Sequence, residues 1–122
     1  MSIKLDSSKR LAIPLAFYKQ MGNPKHVVVM RESRDKGLIL MPGEKLEKFV
    51  QSIYSDPSFH FGCEMDTMLK RLCAHIEILA LDARRRIRIP DKLLDYAGLK
   101  SNVVMIGAIT HIKLMPLESI GD

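Results

Sequence analysis

LDSSKRLAIP at residues 5–14 recurs 76 residues later as LDARRRIRIP at residues 81–90. The register continues through Gly22 and Gly98 and into a Val-Val pair in each copy, which makes eight identities in 24 aligned positions. Average composition would give about one or two identities over such a window. The chain therefore carries an internal duplication, and the repeated unit decides its fold.

The length and composition of the chain suit one compact domain. It has 122 residues, of which 47% are apolar and 27% are charged, an ordinary globular balance. Each half alone has only about 45 residues of patterned sequence, near the size at which a lone unit is marginal. We therefore expect a first repeat at residues 1–43 and a second at residues 75–122 that share one core, with residues 44–74 as a helical connector.

The net positive charge of the chain is confined to the two copies of the motif. The segment from Lys4 to Arg10 carries +2 and the segment from Asp82 to Arg88 carries +3, which together equal the formal charge of +5 for the whole chain. The remaining bases and acids cancel. A partner attracted by charge would therefore be steered to these two segments.

Each repeat reads as a strand, a basic turn, a second strand, a short helix and a hairpin. Residues 86–89 read RIRI, so the two arginines share one face and the two isoleucines point to the core. Leu11 and Ile13 take those apolar places in the first copy, which leaves Arg10 exposed.

Proline and glycine mark the predicted helix ends. Pro14 and Pro90 suit the first turn of a helix, and Gly22 and Gly98 lie where a left-handed C-terminal cap belongs. A hairpin follows each helix, with Gly37 in the link of the first and Gly107 in the link of the second.

Two amphipathic helices are predicted between the repeats. Apolar residues follow i, i+3, i+4, i+7, i+8 spacing from Leu46 to Tyr54 and return with that spacing from Met65 to Cys73. These apolar stripes suit packing in the core or between subunits. A Met-lined ligand pocket is the alternative, although Met more often fills gaps.

The Asp-x-x-x-Arg spacing of both copies suits recognition of a polyanion. A carboxylate at the start of a tight turn, Asp6 or Asp82, can accept backbone N–H groups and pair with the arginine four residues on, Arg10 or Arg86. A guanidinium oriented in this way binds phosphate bidentately or reads the edge of guanine in the major groove. We call residues 6–10 and 82–86 the first and second basic turns.

Further bases beside these pairs would contact phosphates, namely Lys9, Arg84, Arg85 and Arg88. The alternative is that both aspartates only cap their turns and the arginines form a solvated face. The acid and the arginine keep their spacing in both copies, whereas other polar positions have diverged, as Ser8 against Arg84 shows. This repetition favours the binding interpretation.

Other chemistry finds little support in the sequence. The four histidines are scattered, and Cys63 and Cys73 have no second pair of cysteines, so we expect reduced, partly buried thiols and no metal site. No Gly-rich phosphate loop or nucleophile elbow is present. We therefore expect no enzyme, no cofactor and no small-molecule substrate.

The sequence also bears on location. Its start lacks the apolar stretch of a signal peptide, and its longest uncharged run, at residues 101–112, has 12 residues. A membrane span needs about 20 apolar residues. We expect a cytoplasmic protein without a membrane partner.

The two motifs resemble the MraZ family of bacterial transcriptional regulators. The resemblance is carried by LDxxxRxxIP at residues 5–14 and 81–90 and by YAGL at residues 96–99, and it covers nearly the whole chain. It implies a mainly β fold with short helices, in which two swapped hairpins of the SpoVT/AbrB type form one pseudo-two-fold β-barrel with a helical connector.

The resemblance also implies a function and an assembly. It implies sequence-specific binding to short direct repeats in double-stranded DNA, upstream of the division and cell wall gene cluster, in the nucleoid. The DNA-binding protein would be a homo-oligomer shaped as a ring. The family's DNA-contacting motif falls on Asp6 and Arg10 and on Asp82 and Arg86.

The chain departs from the family pattern in the turns and at both ends. Lys9 and Arg85 stand where the family usually has glycine, and a positive φ there would strain any residue with a Cβ atom. The residues before Leu5 leave little room for the usual first strand. The residues after Pro116 leave little sequence for a C-terminal helix.

Two other functions compete with transcription regulation. The same barrel would serve as an antitoxin-like or scaffold module if the basic turns met an acidic protein, but no toxin-wrapping tail is apparent. RNA binding is disfavoured because aromatic residues make up only 6% of the chain and none lies in either basic motif.

Overall fold

The computed structural model of the chain describes residues 1–108 and 111–117. Its elements in chain order are β1 (Ser2–Lys4), β2 (Arg10–Ala12), α1 (Leu15–Gln20), β3 (His26–Arg31), β4 (Leu38–Pro42), α2 (Gly43–Tyr54), α3 (Glu64–Ala74), β5 (Ile76–Ala80), β6 (Arg86–Arg88), α4 (Asp91–Ala97), β7 (Asn102–Ala108) and β8 (His111–Pro116). The prediction of a mainly β fold with short helices is confirmed.

The strands form one large sheet and one small ribbon. The large sheet has six strands in the order β1-β7-β8-β4-β3-β5, and the ribbon pairs β2 with β6. All of these pairings are antiparallel. The sheet therefore interleaves strands from the two halves of the sequence, with β7 and β8 between β1 and β4, and the ribbon takes one strand from each half.

The short helices begin and end where proline and glycine predict. Pro14 and Pro90 are the N-terminal caps of α1 and α4, with φ of −56° and −57°. Gly98 caps the C-terminus of α4 in the left-handed conformation, with φ of +64°. Gly22 also has a positive φ and follows Met21, the C-terminal cap of α1.

Both halves of the chain contribute to the same apolar core. The side chains at its centre have no exposed surface and come from the ribbon, from the hairpin strands and from α4; they include Leu11, Ile13, Val27, Leu38, Leu40, Ile87, Ile89, Val103, Met105 and Leu114. Burying one such aliphatic side chain contributes about 1.5–3 kcal/mol. The ribbon is therefore held to the rest of the molecule by the apolar face of both of its strands.

The two connector helices form as predicted, but their apolar stripes are only partly buried. α2 lies against β3 and β4. Ile53 of α2 and Leu69 of α3 are buried, whereas Phe49 is 45% exposed and Met68 is 50% exposed. Core packing therefore explains only part of each stripe.

Three local expectations differ from the structure. There is room for a first strand after all, because β1 pairs with β7 and places Ser2 opposite Val104. Gly107 lies inside β7, and a Cβ there would approach the Phe17 ring to 2.8 Å, so close packing and not a turn requires glycine. Cys73 is exposed instead of partly buried. The predicted shortage of sequence for a C-terminal helix concerns residues that lie mostly outside the described ones.

Candidate nucleic-acid interface

Each basic turn is organised by its aspartate. Oδ1 of Asp6 accepts the backbone N–H groups of Ser8 and Arg10, at 2.8 and 2.9 Å. Oδ1 of Asp82 accepts those of Arg84 and Arg86 at the same two distances. The two copies thus share one turn geometry, and the prediction that these carboxylates accept backbone N–H groups is confirmed.

The residue before each arginine has a left-handed backbone. φ is +61° at Lys9 and +60° at Arg85, and each of these residues donates its N–H to the aspartate carbonyl three positions earlier, at 3.0 Å. This arrangement matches a three-residue hairpin loop, in which a turn with Asp first is followed by a left-handed position that favours glycine. A side chain at such a position costs about 1 kcal/mol. The strain that the sequence suggested at Lys9 and Arg85 is therefore present.

The left-handed residues also join the two repeats. The carbonyl of Arg85 accepts the N–H of Ile13 at 2.9 Å, and the carbonyl of Lys9 accepts the N–H of Ile89 at 3.4 Å. Each turn thus holds the residue that precedes the proline of the other repeat.

Replacing Arg85 with glycine or with alanine separates the effect of the backbone from that of the side chain. Both variants lose the guanidinium, but only alanine keeps a Cβ at a φ of +60°. We expect Arg85→Gly to be more stable to urea than Arg85→Ala by about 1 kcal/mol. Equal stability of the two variants would contradict the strain at this position.

The two strands after the basic turns place three arginines on one exposed face. In the ribbon Arg10 lies opposite Arg88, Leu11 opposite Ile87, and Ala12 opposite Arg86. Because side chains alternate along a strand, the Leu11 and Ile87 pair faces the core, while the two flanking pairs face away from it. We call β2 and β6 with the outward side chains Arg10, Ala12, Arg86 and Arg88 the basic ribbon.

The guanidinium of Arg86 is held between two carboxylates. Its Nε lies 2.8 Å from Oδ2 of Asp82, and its Nη1 lies 3.7 Å from Oδ2 of Asp6 in the other repeat. The backbone N–H of Arg86, followed by its guanidinium, lowers the pKa of Asp82 below its ordinary value. The carboxylate is therefore ionised at neutral pH, and it fixes the direction of the Arg86 side chain.

The first copy does not repeat this side-chain pair. Within residues 1–108 and 111–117, Asp6 forms its ion pair with Arg86 and none with Arg10. The prediction that each aspartate pairs with the arginine four residues on therefore holds for the second copy and is wrong for the first. Arg10 is exposed and its guanidinium points to no carboxylate within 4.0 Å in this part of the chain.

The other predicted bases fall into two groups. Arg84 and Arg88 are exposed beside the ribbon. Lys9 and Arg85 instead reach across to the opposite repeat: Nζ of Lys9 lies 2.7 Å from Oδ1 of Asp91, and Nε of Arg85 donates to the carbonyl of Ile13 at 3.4 Å. The sequence did not single out Asp91, although its position directly after Pro90 and close to the second basic turn was a usable signal.

Neither a metal cluster nor a membrane helix appears in the described part of the chain. No group of three His, Cys, Asp or Glu side chains there could hold a metal ion. The helices there are too short or too polar to cross a membrane. A cleft of about 290 Å³ between α2, α3 and the sheet is lined by Met30, Met41, Lys45, Leu46, Phe49 and Leu72. It lies on the connector side, among residues that belong to neither basic turn.

Several curated proteins similar to this chain share the name transcriptional regulator MraZ. No family model matches the chain. The transcriptional regulator MraZ of Thioalkalivibrio sulfidiphilus is 30% identical over 111 residues, which cover 87% of this chain and 70% of the relative. The proteins of that name from Corynebacterium jeikeium and Salinispora arenicola are 29% identical over 119 residues and 26% identical over 111 residues. These matches cover 98% and 91% of this chain and 80% and 75% of the relatives.

Proposed function

The chain belongs to the MraZ family of transcriptional regulators, and from that premise we propose that it binds double-stranded DNA through the basic ribbon and regulates transcription. The observation that carries the proposal is the direct opposition of Arg10 and Arg88 on the outward face. Like charges placed opposite each other destabilise a strand pair by up to about 1 kcal/mol. A bound polyanion would remove this repulsion and would use the same charges for affinity.

The shape of the basic ribbon also suits DNA. A two-stranded β-ribbon fits the major groove, where arginine recognises guanine through two hydrogen bonds. Arg86 is already oriented by Asp82, whereas Arg10, Arg84 and Arg88 are exposed at the edges, where phosphates would lie. The proposed DNA-binding surface comprises Asp6, Arg10, Asp82, Arg84, Arg85, Arg86 and Arg88, and Lys9 borders it in its ion pair with Asp91.

We further propose that the fold is a closed, swapped-hairpin barrel of the SpoVT/AbrB type with pseudo-two-fold symmetry. The strand order of the large sheet supports this symmetry. When each first-repeat strand is exchanged with its second-repeat counterpart, the same order results, read from the opposite edge of the sheet. The exchange replaces β1 with β5, β3 with β7 and β4 with β8. The repeats would be residues 1–43 and 75–122, joined by a connector at residues 44–74.

Assembly and target follow from the same premise. We propose a ring-shaped homo-oligomer that binds short direct repeats upstream of the division and cell wall gene cluster, in the nucleoid. One copy offers few contacts, but linked copies raise the effective concentration of each further basic ribbon along consecutive sites. The half-exposed apolar side chains of the connector, such as Phe49 and Met68, are the surface that contacts between copies would bury.

Footprinting on the DNA upstream of the protein's own gene tests the proposal. We expect protected direct repeats, a shift at moderate salt, and weaker binding to a shuffled sequence of the same length. A plot of the logarithm of the association constant against the logarithm of the salt concentration should have a slope of about −0.9 for each phosphate neutralised. A chain that binds no DNA but recovers an acidic protein in stoichiometric amount would contradict the proposal and support the antitoxin-like or scaffold alternative.

A further inference from the structure

An acidic side chain stands inside the proposed DNA-binding surface. Asp91 is the first residue of α4, and its carboxylate lies 2.7 Å from the ammonium of Lys9 in the first basic turn. The hydrogen bond and charge of Lys9, and to a smaller extent the charge of Arg88, lower the pKa of Asp91 below its ordinary value. The carboxylate is therefore negative at neutral pH and is paired with Lys9.

The described part of the second basic turn has no equivalent of this contact. The position that corresponds to Asp91 in the first repeat is Leu15, which has no charge to offer to Arg85. Arg85 instead donates to a backbone carbonyl, that of Ile13. The extra base of the first basic turn, Lys9, is therefore paired with a carboxylate, whereas within residues 1–108 and 111–117 its counterpart Arg85 is paired with none.

The backbone of Lys9 makes this neutralisation effective. The turn fixes the φ of Lys9 at +61°. The carbonyl of Lys9 accepts the N–H of Ile89, which lies two residues before Asp91. This backbone contact between the repeats thus places the ammonium of Lys9 beside the carboxylate of Asp91. A phosphate that binds Lys9 would have to displace the Asp91 carboxylate.

We infer that Asp91 limits the sequence-independent affinity of the DNA-binding surface, because it holds Lys9 away from phosphate. The inference rests on the proposed function and refines it. Lys9 then makes no phosphate contact in the wild-type protein, and the charges that contact DNA come from Arg10, Arg88 and the second basic turn. Phosphate contacts supply nearly all of non-specific affinity and a large share of specific affinity, so one contact fewer lowers the affinity for every sequence and flattens its salt dependence.

A role in stability alone would be small. The side chains of Lys9 and Asp91 are 51% and 60% exposed. Ion pairs this exposed contribute about 0–1 kcal/mol and weaken with salt. Affinity for DNA and its salt dependence are therefore the measurements that distinguish the two roles.

The test compares four variants with the wild-type chain on a shuffled duplex: Asp91→Asn, Lys9→Gly, the double variant, and Asp95→Asn. Asp95 lies on the same helix, is exposed and does not contact Lys9. Asp95→Asn changes the net charge by the same amount as Asp91→Asn. Glycine is used at position 9 because it suits the φ of +61°. Anisotropy titrations at several salt concentrations give the affinity and its slope.

We expect Asp91→Asn to steepen the salt slope by about 0.9 and to raise non-specific affinity roughly fivefold near 0.15 M salt, because Lys9 gains a phosphate contact. Asp95→Asn and Lys9→Gly should keep the wild-type slope. The double variant should also return to the wild-type slope, because the lysine that Asp91→Asn releases is absent.

Three results would overturn the inference while leaving the proposed function intact. Asp91→Asn and Asp95→Asn could behave alike, which would reduce Asp91 to one charge among others. Lys9→Gly could lower the wild-type slope by about 0.9, which would make Lys9 a direct phosphate contact. The double variant could stay as steep as Asp91→Asn, which would assign the gain to Arg88. Wild-type protein that binds neither the specific nor the shuffled duplex would overturn the proposed function itself.

Discussion

The double substitution Arg10→Ala and Arg86→Ala is expected to weaken binding to the specific DNA by at least about 30-fold. Each arginine that recognises a base or a phosphate contributes about 1–3 kcal/mol, and about 1.4 kcal/mol is a factor of ten. These two residues lie at opposite ends of the outward face of the ribbon. The salt slope should also fall by about 0.9 for every phosphate contact that is lost.

Two controls show whether this loss is specific to the arginines. The double variant Lys19→Ala and Lys48→Ala removes the same charge from the exposed faces of α1 and α2. Compared at the same salt concentration, its affinity should stay within about twofold of that of the wild type. Arg86→Lys keeps the charge but not the planar fork that meets Asp82, so it should lose specific binding more than non-specific binding. Wild-type affinity and slope in the double arginine variant would rule out the basic ribbon as the DNA-binding surface.

Replacing Ile87 with alanine is expected to lower the free energy of unfolding by about 2–5 kcal/mol. Ile87 has no exposed surface and lies opposite Leu11, which is equally buried. The substitution leaves a cavity where the ribbon meets the core. The cost of this cavity adds to the lost transfer free energy of the removed apolar atoms. Because domains of this kind are stable by only about 5–15 kcal/mol, a large share of the total would be lost. Urea denaturation monitored by circular dichroism measures the change.

Arg88→Ala is the matched control, because Arg88 is the next residue along the strand and points to the other face. We expect this variant to stay within about 0.5 kcal/mol of the wild type, since an exposed side chain is removed and a like-charge contact with Arg10 is relieved. Leu11→Ala with Ile87→Ala should deviate from the sum of the single effects, because the two side chains are direct partners. An unchanged unfolding midpoint for Ile87→Ala would show that the ribbon is not anchored in the core.

The sequence predicted the elements that local chemistry determines. The strict alternation at residues 86–89 identified which side of β6 is buried, and helical spacing identified both α2 and α3. The aspartates were identified as turn organisers because Asp at the start of such a turn can accept the next backbone N–H groups. Repetition added what a single copy lacks, since it separated the positions that keep their residue from those that have diverged.

Contacts between the repeats could not be read from the sequence. No local pattern states that β2 pairs with β6, or that the guanidinium of Arg86 lies between the carboxylates of both turns. Without that pairing, the spacing indicates only the arginine of the same turn as the partner of Asp6, and it does not show that Asp91 meets Lys9. Gly107 was assigned to a turn because glycine usually marks one, whereas the approach of Phe17 is a tertiary effect. β1 has three residues, too few for periodicity to identify.

The pairing of β2 with β6 has a consequence during synthesis of the chain. Arg10 finds its partner strand only at Arg88, so the first basic motif leaves the ribosome long before the ribbon can form. Pairing two strands so far apart in the sequence also costs more loop-closure entropy than forming a hairpin, so it is slower. A nascent or prematurely terminated chain that lacks residue 88 thus carries an unpaired first strand with Leu11 uncovered. The surface proposed to bind DNA exists only in molecules whose translation has passed the second motif.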